Sequence, residues 1–264
     1  MEAVIRSDWD YYLSYAGEET DTFAGQSIQR FRDEELPDMY MHNFTAVYDW
    51  ETDPDHLWNH ELTIAREKGR DFLNLFTWSS NPGLEPVIAD KGAEASHYVY
   101  MKGMVGDLNS GSGTQTGGRV ERASSPESFA DYEAFDVKVN GPNFGVDFCR
   151  RRSRYKSRIF AREKELNLYL GYLDGQIAGV CEWFYHPPTG LVKIEDFTVD
   201  PAVRSRGLGT IMLDRMVRDA AAAGAKEVYL ITEADNVPAQ RLYARFGLKQ
   251  MNLGHTSWFM KLQV

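Results

Sequence analysis

From Phe197 to Thr210 the chain reads Phe-Thr-Val-Asp-Pro-Ala-Val-Arg-Ser-Arg-Gly-Leu-Gly-Thr. A β-prone run stops at an aspartate and a proline. Two glycines one residue apart then open a helical stripe of Leu208, Ile211, Met212, Met216 and Ala220. A strand that passes so directly into a helix calls for a sheet with that helix laid over one face. The junction also has a chemical bias. Amides at a helix N-terminus lack partners and carry partial positive charge, and glycines let an oxyanion come close to them. Arg204 and Arg206 add full charges. A pyrophosphate suits such a loop, although two glycines alone can also serve only a tight turn.

The neighbouring segments complete a mixed sheet. Leu166–Leu173 and Gln176–Tyr185 are apolar runs split by Asp174-Gly175, a hairpin signal. Leu191–Val199 reads as a third strand, Glu227–Ile231 as a fourth and Ser257–Leu262 as a last one, with a helix over Pro238–Phe246. Upstream, Val120–Ala123 suggests a short strand. Ser125-Pro126-Glu127 reads as a helix start, as N-cap, N1 and acidic N2, with the helix running toward Val139. Residues 144–164 read as a second, strongly basic helix. The fold class is α/β, with a mixed sheet and helices on its faces.

Arg204-x-x-Gly207-x-Gly209 after Phe197-Thr198-Val199 resembles the acetyl-CoA pyrophosphate loop of the GNAT superfamily of N-acetyltransferases. Asn236-Val237-Pro238-Ala239-Gln240-Arg241-Leu242-Tyr243-Ala244-Arg245-Phe246-Gly247 is similar to the second signature of that family. The resemblance covers residues 118–264 and implies the family's acyl-CoA N-acyltransferase fold. It implies that the backbone of Phe197, Thr198 and Val199 pairs with the pantetheine arm of acetyl-CoA. It further implies that Arg204, Ser205, Arg206, Gly207, Leu208, Gly209 and Thr210 cradle the pyrophosphate. Asn236 and Ala239 would flank the cofactor, and Tyr243 would offer its hydroxyl to the thioester sulfur.

The first half echoes the second at an offset of 155: Gly69 with Gly224, Leu75 with Leu230, Thr77 with Thr232, Asn81 with Asn236 and Gly92 with Gly247. Helix, glycine turn, strand, helix and strand follow in the same order, over 56–68, 72–76, 82–91 and 96–102. Such a period is too long for a solenoid and suggests two related units. Asp49, Thr52 and Pro54 stand where Arg204, Gly207 and Gly209 do, and Ile88 stands for Tyr243. The first copy therefore lacks the anion loop and the hydroxyl. With the glycine- and serine-rich stretch as a linker, the expected organisation is a degenerate GNAT-like domain over 1–103, a linker over 104–117 and a catalytic domain over 118–264.

Acetylating an alkyl amine requires removing a proton, since such amines have pKa values near 10. Glu195 is the candidate base. Alternation along Leu191–Val199 predicts Glu195, Phe197 and Val199 on one face, with Asp196 and Thr198 on the other. Ile194-Glu195-Asp196-Phe197 is also similar to the corresponding strand of polyamine-type members, where a glutamate has that role. Glu195 could equally attract a cationic substrate or pair with an arginine. Tyr243 is the candidate acid for the leaving thiolate; a purely packing tyrosine is the alternative.

Charge and composition exclude other classes. Residues 1–110 hold 21 acidic and 8 basic residues, a balance of -13, and the rest hold 18 and 21, a balance of +3. The acidic first half argues against a nucleic-acid partner. The run from Arg150 to Lys156 is basic, as suits a solvated helix face, the cofactor's ribose phosphate or RNA. No run of 18 apolar residues occurs, so no membrane-spanning helix is expected. Cys149 and Cys181 are the two cysteines and form no CxxC pair. With no secretory-type start, a cytoplasmic setting is expected. His56 and His60 share a helical face but have no third ligand, so no metal is expected. The sequence thus points to an acetyl-CoA-dependent N-acetyltransferase acting by direct attack on a primary amine. The acceptor would be a small molecule, a protein N-terminus or a lysine, and the protein a monomer or homodimer. A non-catalytic acetyl-CoA sensor is the alternative.

Overall fold

The computed structural model describes residues 2–47, 53–78, 84–108 and 117–262. In chain order the elements are α1 (Glu2–Leu13), β1 (Gly17–Phe23), β2 (Gln26–Arg32), β3 (Phe44–Val47), α2 (Pro54–Glu67), β4 (Phe72–Trp78), α3 (Leu84–Ala89) and β5 (Glu94–Met104). Then follow β6 (Gly118–Arg122), α4 (Pro126–Phe144), α5 (Val146–Arg162), β7 (Leu166–Leu173), β8 (Gln176–His186), β9 (Leu191–Val199), α6 (Leu208–Ala222), β10 (Glu227–Glu233), α7 (Val237–Arg245) and β11 (Lys249–Lys261). Among the described residues no helix is long and apolar enough to cross a membrane.

Local chemistry accounts for several of these elements. Ser125 caps α4 by accepting the Ser128 amide at 3.2 Å, with Pro126 in the first turn. That helix runs five residues past Val139, and the expected helix over 144–164 is broken at Gly145, where α4 ends and α5 begins. Asp174 and Gly175 both have positive φ, 52° and 80°, the two-residue turn that matches strand twist, and β7 pairs with β8 from Leu173↔Gln176.

The packing resolves into two compact units. One comprises Met1–Tyr11, Met101–Ile231 and Val237–Gln250; the other comprises Tyr12–Tyr100, Thr232–Asn236 and Met251–Val264. Each is discontinuous in sequence. The boundaries expected after residues 103 and 117 both fall inside Met101–Ile231. Of the expected linker, residues 109–116 lie outside the described residues, while Met104 ends β5 and Val105–Asp107 form a 3-10 turn.

In the first unit the strand order is β5-β10-β9-β8-β7-β6. β9 and β10 are parallel, while β6, β7, β8 and β9 pair antiparallel in turn. One face of this sheet is covered by α6 and α7, through a core that includes Cys181, Trp183, Val192, Ile194, Leu208, Met212, Met216, Tyr243 and Phe246. In the second unit the order is β1-β2-β3-β4-β11-β5, with β3 and β4 parallel and β4 and β11 antiparallel from Phe72↔Lys261 to Trp78↔His255. Its core joins Leu57 and Trp58 of α2 to Leu75, Ile88 and Trp258.

The repeat is physical. β4 shifted by 155 coincides with β10. After α2, the Gly69 amide bonds Arg66 O at 3.0 Å and the Arg70 amide bonds Ala65 O at 2.9 Å. After α6, Gly224 bonds Ala221 O and Ala225 bonds Ala220 O at the same two distances. The two helices therefore stop by one motif. Asn81, Asp49 and Thr52 lie outside the described residues.

Candidate active site

Opposite Cys181, the β8–β9 ladder changes register. Val180 pairs with Thr198 and Glu182 with Glu195, so Asp196 and Phe197 together face a single residue. This is a β-bulge, with Asp196 held at φ 50°. It overturns the alternation expected for β9. Val192 and Ile194 before the bulge, and Phe197 and Val199 after it, pack on the same core with α6. The extra residue shifts the side-chain phase by one, so Glu195 lies on the opposite face from Phe197 and Val199.

The same strand leaves an open edge. Pairing of β9 with β10 runs from Leu191↔Glu227 to Ile194↔Leu230 and stops there. Among the described residues, Thr198 and Val199 therefore pair with β8 along one edge, and Phe197–Val199 have no paired strand on the other, which suits an extended ligand that adds as a strand. Beyond Val199 the chain turns at Asp200, which accepts the Ala202 amide at 2.9 Å and pairs with Lys138 at 2.7 Å. Arg204 Nε donates to Val199 O at 3.2 Å. Ser205 and Gly207 have φ of 65° and 86°, and Gly207 caps α6 in the left-handed conformation. The first bonds back to Gly207 O come from the Thr210 and Ile211 amides. The amides of Leu208 and Gly209 thus precede the helical ladder and form the anion-binding end. Arg206 pairs with Asp174 at 2.8 Å across an exposed gap. A Cβ on Gly209 would meet Leu242 Cδ2 at 3.3 Å and the Phe197 ring at 3.6 Å. That glycine therefore serves the packing of α6 on α7 and β9 at least as much as any approach of a ligand.

Tyr243 on α7 is 5% exposed, and its ring stands edge-on to Phe197 with centroids 6.2 Å apart. Among the described residues its hydroxyl has no hydrogen-bond partner. Burial, and then the nearby Cys181 and Glu195, push the phenol well above its ordinary value. Ala239 and Leu242 of the same helix pack against the first unit's core. Asn236 belongs to the second unit, unlike the other expected cofactor residues, and its amide donates to Glu233 O at 3.1 Å.

Glu195 sits in a charged cluster on the other face. Its Oε2 lies 2.9 Å from Lys193 Nζ, in ion-pair contact without an aligned hydrogen bond. Lys193 is fully buried, pairs with Asp8 of α1 and lies 3.9 Å from the centre of the Tyr11 ring. Tyr11 donates to Glu182 at 2.8 Å, and Glu182 pairs with Lys156, which is 3.6 Å from Asp196. Burial raises the Glu195 carboxyl above its ordinary value, against the opposing pull of Lys193. Burial alone would lower the Lys193 ammonium, but Asp8 and Glu195 outweigh it and hold it up.

Asp8, Tyr11 and Lys193 are absent from the sequence-based set. A signal for each exists. Val4, Ser7, Asp8, Tyr11 and Tyr12 follow helical spacing with a carboxylate inside the stripe, and Lys193 interrupts an apolar strand two residues before Glu195. His60 stacks on Phe23 with centroids 3.8 Å apart, in the second unit.

Residues 138–248 match the family model described as Acetyltransferase (GNAT) family. Three solved structures are similar in fold. A functionally unknown conserved protein from Staphylococcus epidermidis aligns with TM-score 0.72 and 12% identity, over 94% of this chain and 96% of that one. A GCN5-related N-acetyltransferase from Kribbella flavida gives TM-score 0.67 and 17% identity, over 97% and 94%. A tandem GNAT protein from the clavulanic acid biosynthesis pathway gives TM-score 0.59 and 14% identity, over 98% and 88%.

Proposed function

The chain carries a domain of the GNAT acetyltransferase family at residues 138–248, and from that premise we propose that it transfers the acetyl group of acetyl-CoA to a primary amine. The open edge of Phe197–Val199 takes the pantetheine arm, and the amides at the start of α6, with Arg204, take the pyrophosphate. Acetyl-CoA supplies an activated acyl carbon; the chain supplies proton handling on either side of it. Glu195 accepts a proton from the amine. The amine nitrogen bonds to the acyl carbon as the carbon–sulfur bond breaks, and the leaving thiolate receives the phenol proton of Tyr243. The acylated nitrogen gives up its surplus proton to restore that phenol, and Glu195 releases its own proton to water. Direct transfer agrees with Cys149 and Cys181 both being buried.

The observation that carries this reading is that Tyr243, a buried side chain whose hydroxyl has no hydrogen-bond partner among the described residues, stands edge-on to Phe197 at the open strand edge. The test is acetyl-CoA-dependent thiol release over a panel of small amines, peptide N-termini and lysine peptides. Turnover on one amine class, lost in Tyr243→Phe, supports the enzyme and names its acceptor. Tight acetyl-CoA binding with no turnover on any of them overturns it in favour of a sensor.

A further inference from the structure

One cation serves two carboxylates inside the first unit. Lys193 Nζ contacts Glu195 Oε2 at 2.9 Å and also contacts Asp8 of α1, and none of the lysine side chain is exposed. The Tyr11 ring, 3.9 Å away, closes a third side. Asp8 is itself buried, so it cannot move off to water, while the Glu195 side chain is partly exposed. Such a group cannot be a bystander to Glu195, because the attraction between opposite charges grows as water is removed. We propose that Lys193, anchored by Asp8, is the positioning residue for Glu195: it fixes the carboxylate at the bulge and sets the pH at which that carboxylate is free to take a proton. The inference rests on the base role given to Glu195 above.

Other charges face Glu195 as well. Glu182 and Cys181 come from β8, Asp196 from β9, Tyr229 from β10 and Tyr243 from α7, and Lys156 of α5 pairs with Glu182 and Asp196. Of these, Glu182 makes the Glu195 anion harder to form. Lys193 is the cation in direct contact that favours it. Asp8 competes for that cation, so it acts on Glu195 in the opposite sense. Burial and the Lys193 pull compete in the carboxyl as it stands.

Two substitutions therefore move Glu195 in opposite directions. In Lys193→Met two carboxylates face each other with no cation, and Glu195 titrates higher by about one pH unit or more. In Asp8→Asn the lysine serves Glu195 alone, and Glu195 titrates lower. Lys193→Arg keeps the charge and restores the wild-type direction. The measurement is carbon-13 NMR of labelled glutamate side-chain carboxyls across pH on the full chain without ligand, with the Glu195 signal assigned by its loss in Glu195→Gln. Opposite displacements support the proposal. No displacement, or displacement in the same direction in both variants, overturns it. Should Lys193→Met fail to fold, Asp8→Asn decides alone: a midpoint that does not fall overturns the inference. Thiol release by the same proteins tests the underlying reading separately. If Glu195→Gln keeps the wild-type pH profile, Glu195 is not the base, whatever the carboxyl titration says about Lys193.

Discussion

Tyr243 and Glu195 are pushed in the same direction by burial, with opposite chemical meanings. The phenol rises well above its ordinary value and so keeps its proton through the neutral range, as an acid requires. The carboxyl rises too, so it loses its proton later than an exposed glutamate. A base works only after losing its proton. Thiol release is therefore expected to increase with pH through the raised Glu195 pKa, with no fall from Tyr243 in the neutral range. Glu195→Gln should remove that rise; an unchanged acidic limb would clear Glu195 of the role. Tyr243→Phe should reduce the maximal rate by about 10²- to 10⁴-fold, while acetyl-CoA affinity by calorimetry stays close to wild type. Equal losses in rate and affinity would make Tyr243 a packing residue. Both side chains were legible as candidates through the resemblance, Tyr243 from the second signature and Glu195 from its place in the strand that leads into the anion loop. Their partners were not: Asp8 is 185 residues from Lys193, and no local pattern joins them.

At the scale of elements, features set by adjacent residues were readable and those set by pairing were not. The Asp174-Gly175 turn and the Ser125 cap follow from local backbone chemistry. The bulge at Asp196 does not, because apolar residues occupy either phase of β9 and alternation remains plausible straight through it. The two glycines of the α6 junction divide in the same way. Gly207, at φ 86°, is required by backbone geometry, and a Cβ there costs roughly 1–2 kcal/mol. Gly209 is required by its neighbours, since a Cβ would press on Leu242 at 3.3 Å. Gly207→Ala should lower thermal stability modestly and weaken acetyl-CoA binding through a displaced helix start. Gly209→Val should lower stability more, by overpacking of about 1–3 kcal/mol, and any loss of affinity would follow from that. Melting temperatures and calorimetric affinities of the two variants separate these cases. A fully stable Gly209→Val with weakened binding would return that glycine to the ligand.

For the whole molecule, the offset of 155 revealed that there are two copies but not how their strands are dealt out. In sequence, β5 follows α3 and β11 follows α7, so each would be expected to finish its own copy. Instead β11 pairs with β4 from His255 to Lys261, and Trp258 and Leu262 belong to the second unit's core. Met101 of β5, with Leu108 after it, belongs to the core of the first. Strand partners depend on non-local contacts, which residue periodicity does not encode. This topology decides what a truncation does. A fragment of residues 118–264 lacks Asp8, Met101 and Leu108 and carries β11 without β4. It thus buries Lys193 with one carboxylate fewer and exposes an apolar strand edge. Losing two buried side chains such as Met101 and Leu108 alone costs about 2–5 kcal/mol each, a large share of a typical domain's stability. The fragment is expected to be insoluble, and co-expression with residues 1–117 should restore a soluble complex, because each piece then supplies the strand that the other's sheet lacks. Solubility and cooperative melting of the single and paired fragments test this. A 118–264 fragment that melts cooperatively by itself and binds acetyl-CoA would show that the strands and side chains of residues 1–117 are dispensable to the second copy.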